Sequence, residues 1–263
     1  MKPRLMFRLG TTSYIFPADI LPNVMRLATA VDDIELVLFE VDDRSSLPSR
    51  TTVAQLRALA ARHGLTYTVH LPLDLQLAAD DRLRQPSLEK ACSVIRSTKV
   101  LDPWAYVVHL EGAETHPPNE PREHAEWLNR ATRSLVVMAE EAGSADRLAV
   151  ENMEHYSPRL FLPLLDRLSV SLCIDIGHLL NRRDDPLAYL EAHLPRTRVI
   201  HLHGSLNGRD HRGLDEMDDD LLASLVDVIV SRHYRGVVTL EVFSEQDFLS
   251  SWDRICRFFK ERT

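Results

Sequence analysis

Eight short β-branched or apolar runs recur along this chain at nearly even spacing, and that recurrence restricts its fold more than any other feature. The runs are RLGTTSY (8–14), IELVLFE (34–40), TYTVHL (66–71) and YVVHLEG (106–112), then LAVEN (148–152), LCIDIGH (172–178), RVIHLH (198–203) and VVTLEV (237–242). Most are continuously apolar rather than alternating, the pattern of parallel strands buried on both faces. The intervals between them read as helices. Within residues 51–63, Val53, Leu56, Leu59 and Ala60 share one face, and Gly64 follows as a C′ residue. The stretch 121–142 ends the same way at Gly143, and Ser157-Pro158 supplies an N-cap and N1 pair for a helix over 158–168. Eight strands alternating with helices over 263 residues predict a single (β/α)₈ TIM barrel spanning 1–263, a fold for which about 250 residues is typical. An open doubly wound sheet is the competing architecture. It calls for a Gly-rich phosphate turn after an early strand, and neither GxGxxG nor GxxxxGKS/T occurs.

Six of the 12 histidines stand at or just past the C-terminal ends of the runs: His70, His109, His178, His201, His203 and His211. In a barrel those strand ends form the active-site face. Glu151 ends the fifth run, while Asp175 lies in the sixth and Glu241 in the eighth. Strands three to eight thus each deliver a His, Asp or Glu to one rim. Singly, each has a plainer explanation. A strand-end His such as His70 is commonly a satisfied core residue, and Glu151 or Glu241 commonly forms an ion pair in the barrel mouth. Asp175 and His178 fit an ordinary turn, in which Gly177 lets the backbone fold both side chains inward. Their convergence favours a metal cluster, and a mixed imidazole/carboxylate shell suits Zn²⁺, with Mn²⁺ or Fe²⁺ as substitutes. His201 and His203 share one strand face by the period of two, which puts His203 behind the shell or against the substrate. His63, His116, His124, His193 and His233 fall in helices or loops and are expected to be solvated, while His155 is left unassigned. No GxSxG or HExxH motif appears, and a glycosidase carboxylate pair would leave the histidines without a role.

Charge bears on the substrate. The formal net charge is −8, and no basic stripe interleaved with aromatics occurs, so nucleic acid is not the expected partner. Cys92, Cys173 and Cys256 form no CxxC pair, which argues against a disulfide framework or a Cys₄ zinc site. The apolar runs are too short for a membrane span, and the start MKPRLMFRLGTTSY lacks a signal-type apolar region. A cytoplasmic location is expected.

With these residues in place, the constellation resembles that of the xylose-isomerase-like TIM barrels, a superfamily of sugar isomerases and epimerases that also holds endonuclease IV. Its members share a Glu after strand five, Asp-x-x-His after strand six, a His after strand seven and a Glu after strand eight. Here Glu151, Asp175 with His178, His201 and Glu241 match. The added His70, His109 and Asp210-His211 are similar to the endonuclease IV branch, where equivalent positions hold three zinc ions and the strand-five Glu bridges two. That branch spaces its late pair Asp-x-His, whereas Asp210 and His211 are adjacent, which leaves a third ion open. More narrowly, LGTTSYIFPADILPNV, DDIELVLFE and DHRGL are similar to the cobamide-remodelling phosphodiesterases, which remove the nucleoside of the corrinoid nucleotide loop and leave cobinamide phosphate.

The resemblance implies a metal-dependent phosphodiesterase with two or three Zn²⁺ ions. Its ligands would be His70, His109, Glu151, Asp175, His178, His201, Asp210, His211 and Glu241, with Glu151 and Glu241 as the catalytic carboxylates. His203 and Tyr14 would contact a corrinoid substrate, with neither nucleic acid nor membrane as a partner. Three alternatives stand beside it. One is a one-metal sugar isomerase in which Glu151 and Glu241 shuttle protons. The others are an endonuclease IV-like abasic-site nuclease and a barrel that binds a corrinoid or sugar phosphate without catalysis.

Overall fold

The eight runs close into a ring of parallel strands. The computed structural model describes residues 5–41, 44–112, 120–206 and 208–260, so His116 lies outside the described residues. The ring consists of β1 (Arg8–Thr12), β2 (Asp33–Val37), β3 (Thr66–His70), β4 (Tyr106–Val108), β5 (Leu148–Glu151), β6 (Ser171–Asp175), β7 (Thr197–Leu202) and β8 (Val237–Leu240). Each strand pairs with its sequence neighbours, and β8 closes the ring on β1, with Arg8 opposite Val237 and Thr11 opposite Leu240. β7 and β8 are adjacent and parallel as expected, with Thr239 opposite His201.

Helices pack around the ring: α1 (Ile20–Leu27), α2 (Arg50–His63), α3 (Asp81–Thr98), α4 (Pro121–Ala142), α5 (Leu164–Arg167), α6 (Ile176–Arg182), α7 (Pro186–His193), α8 (Asp219–Ser231) and α9 (Glu245–Lys260). The expected stops hold. Ser49 caps α2 by accepting the Thr52 N–H, and Gly64 ends it at φ 61°. α4 opens on Pro121 and ends on Gly143 at φ 89°. Its buried face carries Trp127, Leu128, Ala131, Leu135 and Met138 at helical spacing. None of the described helices is long and apolar enough to cross a membrane.

Two expectations are corrected. The helix over 158–168 is instead a 3₁₀ turn (Pro158–Leu160) followed by the separate α5. Pro163 has no N–H to donate, so the α-helical ladder cannot run through it. The run 172–178 is strand only to Asp175, whose carboxylate caps α6 by accepting the His178 N–H at 2.6 Å. His178 therefore projects from the first turn of a helix. A hairpin of strands 204–206 and 209–212 follows β7.

Strand periodicity explains how the rim is supplied. Val107, Ala149, Cys173 and Val199, with Ala105, form a small apolar cluster apart from the main core. Two residues further along each strand, hence on the same face, come His109, Glu151, Asp175 and His201. An apolar layer inside the ring thus supports a polar one above it. Thr11 and Thr12 reach across from β1 and donate to the Leu240 and Val242 carbonyls at 2.8 and 2.7 Å, tying down the segment that carries Glu241.

Candidate metal centre

Five groups of ligand-type atoms converge at the C-terminal end of the ring, the atoms of each lying within 4.8 Å of one another; two of them include Cys173 or His203, and the other three do not. Of these three, the first is His70, His109 and Glu151; the second is Glu151, Asp175, His201 and Glu241; the third is His178, Asp210 and His211. Glu151 belongs to two of the three. These three groups bring together all nine of the residues that the sequence places at metals.

Four of the five imidazoles, those of His70, His178, His201 and His211, are aimed by a bond on the far nitrogen. His70 Nδ1–H donates to the Leu71 carbonyl at 2.8 Å, turning Nε2 toward Glu151 Oε2 at 3.2 Å. His109 Nε2 lies 3.0 Å from the same oxygen. His178 Nδ1–H donates to the Asn152 carbonyl at 3.0 Å, and its Nε2 lies 3.5 Å from Asp210 Oδ2. His211 Nδ1–H donates to the Glu241 carbonyl at 3.3 Å, with Nε2 3.6 Å from Asp210 Oδ2. His201 reverses the pattern, with Nε2–H on Glu35 Oε2 at 2.9 Å and Nδ1 facing Glu151, Asp175 and Glu241 at 3.3, 3.7 and 3.0 Å. Far-nitrogen partners of this kind fix tautomer and orientation at metal-binding histidines.

The adjacency of Asp210 and His211 proves compatible with one site. Neighbours on a regular strand point to opposite faces. His211 sits at φ 52°, in the left-handed region, which breaks that alternation. Its own N–H is held by His203 Nδ1 at 2.9 Å. This third group is the open edge of the centre: the Asp210 and His211 side chains are 29% and 28% exposed, against 1% for Glu151.

Electrostatics favour a cationic occupant. Burial alone would raise the Glu151 carboxyl, yet His201 and His109 hold it well below the ordinary carboxylate range. Asp175 behaves likewise, its burial outweighed by His203 and His178. Burial works against charge on His70, but Glu151 lifts it to about 9, and Asp175 and Asp210 lift His178 to about 11. Without an ion, protons must therefore balance the carboxylates. Two buried atoms, His201 Nδ1 and Glu241 Oε2, make no hydrogen bond although they lie 3.0 Å apart, because with the ring proton on Nε2 both are acceptors. A cation between them satisfies both, and the imidazole/carboxylate donor set fits a divalent ion such as Zn²⁺, Mn²⁺ or Fe²⁺.

The remaining residues sort by contact. His203 is fully buried. It lies within 4.8 Å of His211 and Glu241, but its Nε2–H donates to Asp175 Oδ2 at 3.1 Å and its Nδ1 lies between the His211 N–H and the Gly204 carbonyl, so both nitrogens are engaged. Gly177 serves this contact: a methyl group there would overlap the His203 ring, so close approach rather than backbone freedom requires glycine. Cys173 also lies near His201, but burial pushes its thiol pKa well up and keeps it protonated. Tyr14 stands half-buried past the end of β1, its ring 6.4 Å from that of Phe39. Of the histidines expected to be solvated, His124 instead donates to the Leu160 carbonyl at 2.7 Å, and His193 packs on Tyr189. His155, left unassigned, pairs with Glu111 at 2.9 Å on the surface.

Two residues escaped the sequence reading. Asn152 clips β5 to β6 by accepting the Asp175 N–H and donating to the Asp175 carbonyl, both at 2.9 Å. Glu35, from β2, is the partner of His201. A glutamate between Ile34 and Leu36 in a doubly buried strand was the available signal, since a buried charge demands a partner.

Comparison with known proteins agrees with this architecture. Residues 27–262 match a family model described as the xylose isomerase-like TIM barrel. No curated protein sequence matches. Among solved structures, a D-tagatose 3-epimerase-like protein superposes with a TM-score of 0.79 at 20% identity, covering 97% of both chains. Endonuclease IV from Thermus thermophilus gives 0.70 at 19% identity, over 97% of this chain and 100% of that one. A 3-keto-D-glucoside 4-epimerase from E. coli gives 0.70 at 16%, over 97% and 99%. At these identities the likeness is one of fold.

Proposed function

From the premise that this chain belongs to the xylose isomerase-like TIM-barrel family, we propose that it is a metal-dependent phosphodiesterase acting on the nucleotide loop of cobamides. The observation that carries this is the contiguity of three ligand groups, two of them sharing Glu151. A one-metal enzyme needs only the second group. The first and third would then have to arise from five further residues, His70, His109, His178, Asp210 and His211, without purpose.

His70, His109 and Glu151 would hold one ion; Glu151, Asp175, His201 and Glu241 a second; and His178, Asp210 and His211 a third. When bound, such ions supply Lewis-acid stabilisation of a phosphoryl group and acidify water, so no protein general acid is required. The chain's own part is to fix these donors. Glu151 spans two groups, the apolar layer of Val107, Ala149, Cys173 and Val199 closes the floor, and the exposed third group faces the substrate. The cobamide as substrate is supported by the likeness of LGTTSYIFPADILPNV, DDIELVLFE and DHRGL to the cobamide-remodelling phosphodiesterases, and by the acidic net charge of −8, which disfavours a long polyanion.

A sugar epimerase is the second reading, favoured by the four-donor group being complete in itself and by the epimerases among proteins of this fold. There Glu151 and Glu241 would shuttle protons. The metal-loaded protein should be incubated separately with adenosylated and cyano cobamides, an abasic-site duplex and a ketohexose, and the products separated by chromatography and mass. Release of the lower-ligand riboside, with phosphate left on the corrinoid, is expected. Intact corrinoids beside cut DNA or an epimerised sugar would replace this function with one of its rivals.

A further inference from the structure

We infer that Glu35 is a positioning residue that fixes the tautomer of His201 and thereby sets the affinity of the four-donor site. The inference rests on the metal-centre reading but not on the identity of the substrate. Strand β2 supplies no ligand, yet its Glu35 reaches across the ring to His201 Nε2 at 2.9 Å. Both residues are wholly buried. Glu35 Oε1 has no hydrogen-bond partner among the described residues, so His201 supplies the bond that Glu35 makes.

A neutral imidazole carries one proton, and its place decides what the ring can bind. With the proton on Nε2 and directed at Glu35, Nδ1 presents a lone pair to Glu151, Asp175 and Glu241 at 3.3, 3.7 and 3.0 Å. Without Glu35, the three carboxylates on the Nδ1 side would draw the proton there, and the lone pair would point away from the ion. A carboxylate behind the ring therefore excludes the unproductive tautomer and makes the ligating nitrogen more basic. Glu35 is not itself a ligand, because it stands behind the imidazole and belongs to none of the five groups. Its register neighbours Thr12 and Thr68 bring no competing charge.

The test is Zn²⁺ titration of the stripped full-length protein against a chromophoric chelator, comparing wild type with Glu35→Gln. The amide keeps size but loses charge. The variant should reach the same number of ions at saturation, with one site weakened about 10- to 100-fold, as for other partners behind metal-binding histidines. Affinities unchanged within about threefold would reduce the contact to packing. An ion lost at any zinc concentration would make Glu35 a ligand. Either result overturns the inference, whereas a wild-type protein that binds no zinc would remove the metal centre itself. Should Glu35→Gln fail to fold by circular dichroism, ¹⁵N imidazole spectra of the zinc-loaded wild type decide. A His201 ring with the proton on Nε2 and the ion on Nδ1 supports the role; the reverse arrangement refutes it.

Discussion

Replacing His109 by alanine separates a multi-ion centre from a single-ion one. His109 Nε2 and His70 Nε2 approach the same Glu151 oxygen at 3.0 and 3.2 Å, and the three side chains make up the whole of the first ligand group. Loss of a partner behind a ligand typically weakens metal binding about 10- to 100-fold. Loss of one of three direct donors should reach at least the upper end, about 100-fold or roughly 2.8 kcal/mol at 1.4 kcal/mol per decade. An ion half-saturated in the wild type then needs about a hundredfold more free metal in the variant. After dialysis against a common zinc buffer, elemental analysis should find about one ion fewer per chain in His109→Ala, and cobamide hydrolysis should fall at least about a hundredfold. The four donors of the second group do not include His109, so a mononuclear epimerase would keep its metal. Unchanged metal per chain, in a variant that melts cooperatively, would refute the assignment of His109 to an ion.

Other outcomes follow from the same contacts. Gly177→Ala should drive the His203 ring off Asp175, costing about 1–3 kcal/mol as overpacking does; an unaltered melting temperature would contradict the close approach. Metal-free protein should lose stability as pH rises, because His70 and His178 have raised values of about 9 and 11. Their contribution is full below the ordinary value of 6.5 and disappears as pH climbs through 9 and 11. Glu151 and Asp175, held low, act in the opposite sense, their contribution being lost as pH falls below the carboxylate range. Thermal melts should therefore show a metal-free optimum on the mildly acidic side of neutrality, and a midpoint that rises from pH 7 to 9 would overturn this. Zinc at about 100 times its dissociation constant should add about 2.7 kcal/mol per occupied site, so a melting temperature indifferent to zinc would count against any structural role for the ions.

The barrel was legible because its strands are buried on both faces and announce themselves as unbroken apolar runs. The rim was legible because histidines and carboxylates inside such runs have few reasons to be there. What escaped depends on contacts between distant strands or on local backbone. Glu35 looked like one more strand residue until β2 was placed across the ring from His201. Whether adjacent Asp210 and His211 share an ion was open in the sequence, because it depends on His211 sitting at φ 52°. The place of His203 on the strand face was readable, but its burial beneath Asp175 needed the α6 turn, which begins where the strand was expected to continue. Pro163, by contrast, was visible in the sequence, and its break in the 158–168 helix follows from the missing N–H alone.

Crystals grown with Zn²⁺ and measured on both sides of the zinc absorption edge would locate every ion in the centre. Three anomalous peaks are predicted: one among His70, His109 and Glu151, one among Glu151, Asp175, His201 and Glu241, and one among His178, Asp210 and His211. A single peak, enclosed by the four donors of the second group with the other two groups empty at saturating zinc, would contradict a multi-ion phosphodiesterase and leave a one-metal enzyme in its place.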